Sequence, residues 1–507
     1  MNWFEKSILI LFPSWAAKRA EARYLARQFT GADLDRLRIR NAYSNVGPIT
    51  ENRQSRTTLL NVARNLDRNN SFAHGAFNAI ANNIVGKGIK LESRVQTTNG
   101  KLLEGINRDI ENVWREWARG ADITGKMDFY EIQHLVEREL WVAGEILVAN
   151  VSPLDKRKVP LALEIIESER LSAIDDENGK NRIVQGVEYT DQGKIVAYHI
   201  HKNNPADSIY GDKIERIPAS RVLHLFRSIR PNQVRGLSRI APVARNFEAI
   251  GQFMDHELTK ARVASAFALM IKRGGLGYAP KFPNTGDSTI ATDANGNVVD
   301  NNNNPLGHLE GGMIFYGGPN DSIEGTGPSV QASAFAEFIA TNLRAIATGL
   351  NISYELLARD FTKTNFSSAR QSSLEDKKHW EPLQQYLNNH LNDSVYNWFI
   401  DRAIIAGVNP FARNTSRQYL VEWILPPREY VDPLKEVDAD IKAVQSGFTN
   451  LQKICSKHGT DAHDNLRLNS QLLKDAEEQG LNVTALLKPK TNEKAKEYSN
   501  SSKFAVD

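Results

Sequence analysis

The segment 240–273, IAPVARNFEAIGQFMDHELTKARVASAFALMIKR, decides how the rest of the chain is organised. Its large apolar side chains recur at steps of three and four residues, at Val243, Phe247, Ile250, Met254 and Leu258. This spacing places them on one face of a helix, and 34 helical residues would extend over roughly 50 Å. The stretch 261–268 is rich in alanine, which lets a neighbouring helix approach closely. The pattern therefore predicts one long amphipathic helix.

A second apolar-periodic segment follows further along the chain, with large side chains at Phe335, Ile339, Leu343, Ile346 and Leu350. Their spacing again fits one face of a helix. The residues between the two segments, 274–328, are rich in glycine, asparagine and proline and leave little material for a core. We therefore expect an antiparallel pair of long helices with a small polar module at its tip.

The remaining periodicity indicates an α+β, predominantly helical fold. Helical spacing predicts helices within 53–85, with a break at Asn69-Asn70, and at 103–117, 129–142, 374–399 and 435–444. Alternating apolar residues predict strands at 146–148, 161–166, 183–189, 195–200, 222–226 and 419–424. The sequence Asp191-Gln192-Gly193-Lys194 has the composition of a hairpin turn. These strands predict a mostly antiparallel sheet that precedes the long helix.

Composition limits the class of protein. The length of 507 residues allows about three domains, and the net charge of +3 excludes a polycation. We expect a basic arm at 1–50 and a disordered, Lys/Asn/Ser-rich tail at 488–507. The single cysteine, Cys455, excludes an intramolecular disulfide and indicates a reducing cytoplasm. The apolar run 7–12 is too short to span a bilayer and no other candidate is found, so no membrane association is predicted.

The sequence carries none of the common catalytic motifs. It lacks a G-x-x-x-x-G-K-[ST] loop for nucleotide phosphates, a G-x-S-x-G elbow and an H-E-x-x-H zinc motif. We therefore predict no enzyme activity and no cofactor. His224 lies on an apolar strand, where a hydrogen-bonded core histidine is favoured over a catalytic one. The stretch 293–300, DANGNVVD, lacks the glutamate that ends a calcium loop, so a solvated loop is favoured there.

One polar cluster keeps an enzymatic alternative open. It contains His458, Asp461, His463 and Asp464, all of which are able to bind a metal ion. The favoured interpretation is a helix start, with Thr460 as the cap and Asp464 near the positive end of the helix dipole. The alternative is a metal-dependent nucleic-acid-processing enzyme. A third alternative is a non-viral oligomeric scaffold that binds a partner through 274–328.

Two basic segments are candidate binding sites. The turn around Pro231 contains Arg227 and the candidate residues Arg230, Gln233, Arg235 and Arg239. It is either a surface loop with structural ion pairs or a turn that faces another subunit or a phosphate, because arginine binds carboxylate and phosphate bidentately. The second segment, 359–371, is polar and poor in core-forming residues; its candidate residues are Lys363, Thr364, Asn365 and Arg370. Within it, the stretch 360–366 holds one cation, Lys363, among small polar groups and could contact a phosphate backbone transiently.

The order of several motifs resembles the lambda family of tailed-phage portal proteins. The first runs from Arg56 through Arg64-Asn65 and Arg68-Asn69-Asn70 to Val85-Gly86. Later matches are Gly144-Glu145, His224-Leu225-Phe226, the string 230–236, Ser353-Tyr354-Glu355, Ser367-Ser368-Ala369-Arg370, and Trp423 through Val431-Asp432-Pro433 to Gly459 and Asp461. The resemblance covers about 50–480, and no single motif carries it alone.

This resemblance implies a dodecameric homo-oligomeric ring at one capsid vertex of the virion, assembled in the host cytoplasm. The ring would be the channel through which double-stranded DNA is packaged and ejected, with non-specific contact to the DNA. Expected partners are the terminase large subunit, a head-completion or connector protein and the major capsid protein. A separate terminase ATPase would supply the energy, because this chain has no nucleotide site.

The resemblance also assigns regions to a portal-type fold. It implies a wing at 51–239, stem helices at 240–273 and 329–352, a clip at 274–328, a tunnel loop and following helix at 353–400, and a C-terminal wing or crown region at 401–487. The candidate residues Lys363, Thr364, Asn365 and Arg370 would then face the channel. A conduit of this kind should hold DNA weakly, since extensive phosphate binding produces high affinity.

Overall fold

The computed structural model describes residues 47–153, 157–207, 213–266, 332–362, 364–412, 417–427 and 433–480. Most of the predicted N-terminal arm, the 274–328 module, Lys363 and the 488–507 tail lie outside the described residues. The helices are α1 (Pro48–Asn69), α2 (Ser71–Ile84), α3 (Glu104–Ala118), α4 (Phe129–Val142), α5 (Ala244–Ala266), α6 (Ala332–Leu350), α7 (Tyr354–Ala358), α8 (Phe366–Leu387), α9 (Asp393–Ile405), α10 (Pro433–Gln445), α11 (Leu451–Lys457) and α12 (Ala462–Glu478). A π-helix, Asn388–Asn392, joins α8 to α9.

The strands are short and mostly antiparallel. They are β1 (Lys90–Ser93), β2 (Gln96–Thr97), β3 (Glu145–Val151), β4 (Ala162–Ile166), β5 (Asp176–Asn178), β6 (Asn181–Val184), β7 (Val187–Tyr189), β8 (Ile195–His201), β9 (Ile214–Pro218), β10 (Val222–Phe226), β11 (Arg417–Gln418) and β12 (Val421–Ile424). The sheets have the orders β5-β6-β7-β8-β9, β10-β3-β4, β1-β12 and β2-β11. The predicted α+β class with mostly antiparallel pairing is confirmed.

The described residues form two compact units. The helix-pair unit lies within Met1–Ala79, Trp141–Gly144 and Phe226–Asp376, and the sheet unit lies within Ile80–Leu140, Glu145–Leu225 and Lys377–Asp507. Each unit has its own buried apolar residues.

The predicted pair of long helices is present in the helix-pair unit. The side-chain amide of Asn246 on α5 donates to the side-chain oxygen of Asn342 on α6 at 3.3 Å. Nearer the C-terminal end of α5, the ring of Phe253 lies 4.2 Å from that of Phe338. Early residues of α5 therefore meet late residues of α6, and the pair is antiparallel.

The start of the first long helix differs from the prediction. We expected helix from Ile240, but α5 begins at Ala244. Residues 240–243 form a turn in which the Val243 amide donates to the carbonyl of Ile240 at 2.9 Å. The missing N–H of Pro242 suits this turn as well as it suits a first helical turn, so the sequence alone does not separate the two.

The break between α1 and α2 is confirmed at Asn70. This residue is extended, with φ −115° and ψ 113°. Its side-chain oxygen accepts hydrogen bonds from the amides of Phe72 at 3.1 Å and Ala73 at 3.0 Å. Asparagine is a favoured cap because its side chain satisfies amides that the helix leaves unbonded. The cap therefore starts α2 where α1 ends.

The core of the sheet unit is an aromatic cluster built by helices that the sequence predicted. The ring of Trp114 on α3 lies 4.8 Å from Trp117, 5.2 Å from Phe129 on α4 and 5.0 Å from Phe399 on α9. The observed bounds of α4, Phe129–Val142, equal the predicted range. Large aromatic rings bury much apolar surface and therefore dominate the energetics of a protein core.

The strand predicted at 183–189 is two strands. Gln185 and Gly186 have positive φ values of 49° and 80°, and Val184 pairs with Val187 across them. Two consecutive residues in the left-handed region form the tight turn that joins antiparallel strands. Sequence periodicity missed this turn because apolar residues flank it on both sides. It also predicted no strand at β1, β2, β5, β9 or β11.

Candidate functional site

The basic turn 227–239 is a structured loop within the helix-pair unit. The side-chain oxygen of Gln233 accepts a hydrogen bond from the Ile229 amide at 2.9 Å, and its Nε2 donates to the carbonyl of Arg235 at 2.8 Å. Asn232, inside this loop, has a positive φ of 63°. The side chain of Gln233 therefore stabilises the turn by bonding to two backbone groups of the turn itself.

Helix α1 is attached to the same turn. Arg230 donates to the carboxylate of Glu51, and the side-chain amide of Asn52 donates to the carbonyl of Arg235 at 2.6 Å. Arg235 is only 1% exposed. Its guanidinium is therefore part of the interior of this unit, whereas Arg230 remains partly exposed at the surface.

The segment 141–144 packs against the other side of the turn. The backbone amide of Arg239 donates to the carbonyl of Trp141 at 3.1 Å, and its guanidinium donates to the carbonyl of Arg227 at 3.4 Å. Gly144 has φ +84°, and a Cβ placed there would lie 2.1 Å from the carbonyl carbon of Leu237. Only glycine fits this close backbone approach. Whether the turn faces another subunit stays a prediction.

The second candidate segment is a short loop held at both ends. Ser353 caps α7, and its amide and hydroxyl both donate to the carboxylate of Asp376 on α8, at 2.8 and 2.6 Å. Burial raises the pKa of Asp376, and the two hydrogen bonds from Ser353 act in the opposite direction. Asp376 thereby joins the helix before the loop to the helix after it.

Inside the loop, Asp360 organises the backbone. Its Oδ1 accepts from the amide of Thr362 at 3.0 Å and from the Thr362 hydroxyl at 2.6 Å. Its Oδ2 accepts from the Tyr354 hydroxyl at 3.2 Å. The hydroxyl of Thr364 donates to Glu355 at 3.4 Å. Of the predicted loop residues, Thr364 therefore contacts α7.

The loop is shorter than the predicted 359–371, because α8 begins at Phe366. The side-chain oxygen of Asn365 accepts from the Ser368 amide at 2.8 Å, and the hydroxyl of Ser368 accepts from the Asn365 amide at 3.1 Å. This reciprocal pair is a capping box that starts the helix. Arg370 accordingly lies in the first turns of α8, and the loop proper is 359–365.

The cluster around Asp461 is a helix start. Asp461, rather than the predicted Thr460, caps α12, and its Oδ1 accepts from the amides of His463 at 2.6 Å and Asp464 at 3.0 Å. The correction is one of position, since Asp461 directly precedes the first helical residue, Ala462, and a side chain there accepts from the amides two and three residues on. Within the described residues, no group of three His, Cys, Asp or Glu could hold a metal ion.

The remaining histidine prediction is confirmed. The Nε2 of His224 lies 3.0 Å from Oε2 of Glu145, and both side chains are almost completely buried. His224 is therefore a hydrogen-bonded core residue. In the part of the chain that the structure describes, no helix combines the length and apolar character needed to cross a membrane.

Sequence reasoning missed Asp376. It lies 23 residues after Ser353 in the chain, so no local motif joins the two. The local sequence signal was Ser353 itself, because a serine directly before a short apolar stretch is typical of a helix cap.

Comparison with known proteins assigns a family. The family described as "Phage portal protein, lambda family" matches residues 37–384. A probable portal protein of Halomonas phage phiHAP-1 is 26% identical over 420 residues, which cover 80% of this chain and 78% of that protein. Portal protein B of Escherichia phage lambda is 21% identical over 433 residues, covering 79% of this chain and 80% of that protein. A solved structure titled "Neck of native GTA particle computed with C12 symmetry" has 13% identity and a TM-score of 0.43, covering 78% of this chain and 91% of that one.

Proposed function

The chain belongs to the lambda family of phage portal proteins, and from this premise we propose that its copies form a closed ring around a channel for double-stranded DNA. The observation that carries the proposal is the family match over residues 37–384, more than half of the chain. Relatives named as portal proteins, each aligned over about four-fifths of its own length, support it. The chain would be a structural component of the virion and not an enzyme.

The helix pair supports ring formation. Apolar side chains remain exposed on both helices: Met254 is 41% and Leu258 52% exposed on α5, and Phe338 is 37% exposed on α6. In a ring of identical copies, one face of each subunit packs against a different face of the next. Burial of these side chains against a neighbour would contribute favourable free energy at each repeat.

We assign the regions by analogy with the family. The wing is 51–239, the stem helices are 240–273 and 329–352, the clip is 274–328, the tunnel loop and following helix are 353–400, and the C-terminal wing or crown is 401–487. The observed helices α5 and α6 fall within the two stem segments. A dodecameric ring is the proposed assembly.

The loop 359–365 is the proposed contact with passing DNA, through Lys363, Thr364 and Asn365, with Arg370 close by on α8. A single lysine per copy forms few phosphate contacts, so counterion release and affinity stay small. Asp376 and Asn365 hold the ends of the loop in defined positions. Such a loop would touch a sliding duplex without arresting it.

The energy for packaging would come from the terminase large subunit. A head-completion or connector protein and the major capsid protein are the other proposed partners. We place assembly in the host cytoplasm and the finished ring at one capsid vertex.

Negative-stain electron microscopy of the purified full-length protein tests the ring. We expect closed rings with an axial hole. Leu258→Glu should prevent ring closure because it places a charge on an exposed apolar position of α5. Thr259→Glu, on the same helix and also exposed, adds the same charge and should leave rings intact. Monomers alone at high concentration of the wild-type protein would contradict the proposal.

A further inference from the structure

The three C-terminal helices α10, α11 and α12 have little apolar attachment to the rest of the sheet unit. Within the described range 433–480, Ala462 and Ala476 are the only buried residues. Two buried methyl side chains contribute little free energy, because this contribution scales with the apolar area removed from water. Polar contacts therefore account for a large part of the docking of these helices.

A buried carboxyl group on β1 is at the centre of those polar contacts. Glu92 is 3% exposed. Its Oε1 accepts from the side-chain amide of Gln452 on α11 at 2.6 Å and lies 2.6 Å from Nη2 of Arg94. The carboxyl group of Glu92 is also hydrogen-bonded to that of Asp461, the cap of α12. Glu92 therefore contacts both α11 and α12.

The surrounding hydrogen bonds fix the second carboxyl group in place. Nε2 of Gln452, which donates to Glu92, also lies 3.2 Å from Oδ2 of Asp461. The other oxygen of Asp461 accepts from the backbone amides of His463 at 2.6 Å and Asp464 at 3.0 Å. Asp461 therefore cannot turn away from Glu92 without losing the cap of α12.

The nearest cation does not balance two ionised carboxylates. Arg94 contacts Glu92, but its guanidinium also lies 3.1 Å from Oε2 of Glu422. Glu422 is directly opposite Glu92 in the β1–β12 ladder, and like charges in that position are destabilising. One arginine is thus shared by two glutamates, and Asp461 adds a third carboxyl group beside them.

The other charged groups that line the cavities beside Glu92 largely cancel one another. On α3 they are Glu104, Arg108, Glu111 and Arg115. On α12, Asp464 forms an ion pair with Arg467 at 3.2 Å, and His463 lies nearby. Lys90, at the start of β1, is exposed, so solvent and salt screen its charge. A proton held between the two carboxyl groups relieves the remaining excess of negative charge.

The protonation of the pair agrees with this arrangement. Burial, and next the hydrogen bond with Asp461, raise the pKa of Glu92 to about 8. Burial acts to raise the pKa of Asp461, but hydrogen bonds from the Asp464 amide and from Glu92 keep it below its usual value. At neutral pH the proton is therefore on Glu92, whose O–H donates to the Asp461 carboxylate.

We propose that the pair Glu92–Asp461 is a proton-dependent latch for the C-terminal helices. While Glu92 carries its proton, it holds α11 and α12 against the β1–β12 ladder. Loss of the proton leaves two negative charges side by side, one of them buried, and separation of the helices from β1 relieves both the repulsion and the burial. Strand β1 is the less mobile side, because all four of its residues pair with β12.

The direction of the pH dependence follows from the pKa of Glu92. This pKa is raised from 4.5 to about 8 in the docked state. The stabilising contribution of the latch is therefore complete below about pH 4.5 and is lost as the pH rises through about 8. Between these values undocking releases one proton, so docking weakens by up to about tenfold per pH unit.

Hydrogen exchange of the full-length protein at pH 7 and pH 8 tests the latch, with each rate divided by that of the unstructured peptide at the same pH. We expect the amides of 451–478 to open about fivefold more often at pH 8. In Glu92→Gln the side-chain amide is neutral at both pH values and still donates to Asp461, so this increase should disappear. No increase in the wild type, or an equal increase in Glu92→Gln, would overturn the proposal.

Two comparisons exclude a less specific effect of pH. Peptides from α9, in the same unit, should exchange alike at the two pH values, and a parallel rise there would refute a local latch. His458 and His463 are present in the wild type and in Glu92→Gln, so any contribution from histidine titration cancels between them.

Glu422→Gln is the matched control variant. It removes a carboxylate from the same ladder and the same arginine, and leaves the Glu92–Asp461 pair intact. This variant should keep most of the fivefold increase. Loss of the increase as complete as in Glu92→Gln would refute the assignment to the pair.

Asp461→Asn tests the partner of Glu92. Asparagine retains the cap of α12 but carries no charge that repels an ionised Glu92. The increase between pH 7 and pH 8 should therefore fall below about twofold. An undiminished increase would show that burial alone controls Glu92, which would overturn the latch. The latch is independent of the proposed channel function, and none of these measurements requires DNA or a packaged particle.

Discussion

Replacing Gly144 by alanine tests the close packing behind the basic turn. Gly144 has φ +84°, and an added Cβ would lie 2.1 Å from both the carbonyl carbon and the oxygen of Leu237. The nearest atoms, the carbonyl group of Leu237 and the amide nitrogen of Ser238, belong to the backbone, so no side-chain rotation relieves the overlap. The turn 227–239 would have to move away from the segment 141–144.

Two effects contribute to the magnitude. Holding alanine in the left-handed region costs about 1–2 kcal/mol, and forcing a methyl group into a packed interior costs about 1–3 kcal/mol. The variant should therefore lose about 2–5 kcal/mol of local stability. Gly193 offers the matched control, because it has φ +83° and nothing within 4 Å of its added Cβ. Gly193→Ala should lose only about 1–2 kcal/mol.

Hydrogen exchange resolved by peptide measures the free energy of opening separately in each unit. For Gly144→Ala we expect faster exchange in peptides from 226–258, and for Gly193→Ala a smaller change in peptides from 187–201. If the two losses agree to within about 0.5 kcal/mol, backbone conformation alone explains Gly144 and the steric argument is wrong.

Three further predictions concern the loop and the pH dependence of stability. Lys363→Ala should reduce packaging or retention of DNA while rings still form, and normal packaging in a particle assay would remove this residue from the mechanism. Asp376→Ala removes the acceptor of both Ser353 hydrogen bonds, so we expect the closed loop to lose about 1.5–3 kcal/mol of stability. Trypsin should then cleave faster after Arg359 or Lys363. Cleavage as slow as in the control Glu375→Ala would contradict this role of Asp376. Hydrogen bonding to Arg216 is the largest of the effects that hold the pKa of the buried Glu188 down at about 2. Because this pKa lies below the ordinary glutamate value of 4.5, the stabilising contribution of Glu188 is complete above about pH 4.5 and is lost as the pH falls towards 2. The thermal midpoint of the wild type should therefore drop more steeply between pH 5 and 3 than that of Glu188→Gln, and parallel curves would refute this.

Local periodicity was sufficient for much of the fold. The helices α3 and α4, the break at Asn70 and the antiparallel pair α5–α6 follow from the spacing of apolar residues and from cap chemistry. Those signals span a few residues, so they are readable in one dimension. The family resemblance, which the comparison confirms, came from the order of motifs along the chain.

Long-range contacts decided the rest. The burial of Arg235, the hydrogen bonds between Ser353 and Asp376 and the contact of Glu92 with Gln452 depend on residues far apart in the chain. Glu92 and Gln452, for example, are separated by 360 positions. No local pattern encodes such a pair, because burial and partner are properties of the folded packing and not of the neighbouring residues. The sequence by itself determined most of the helices, several strands and the family, whereas only the tertiary structure decided which polar groups are buried and which partners they find there.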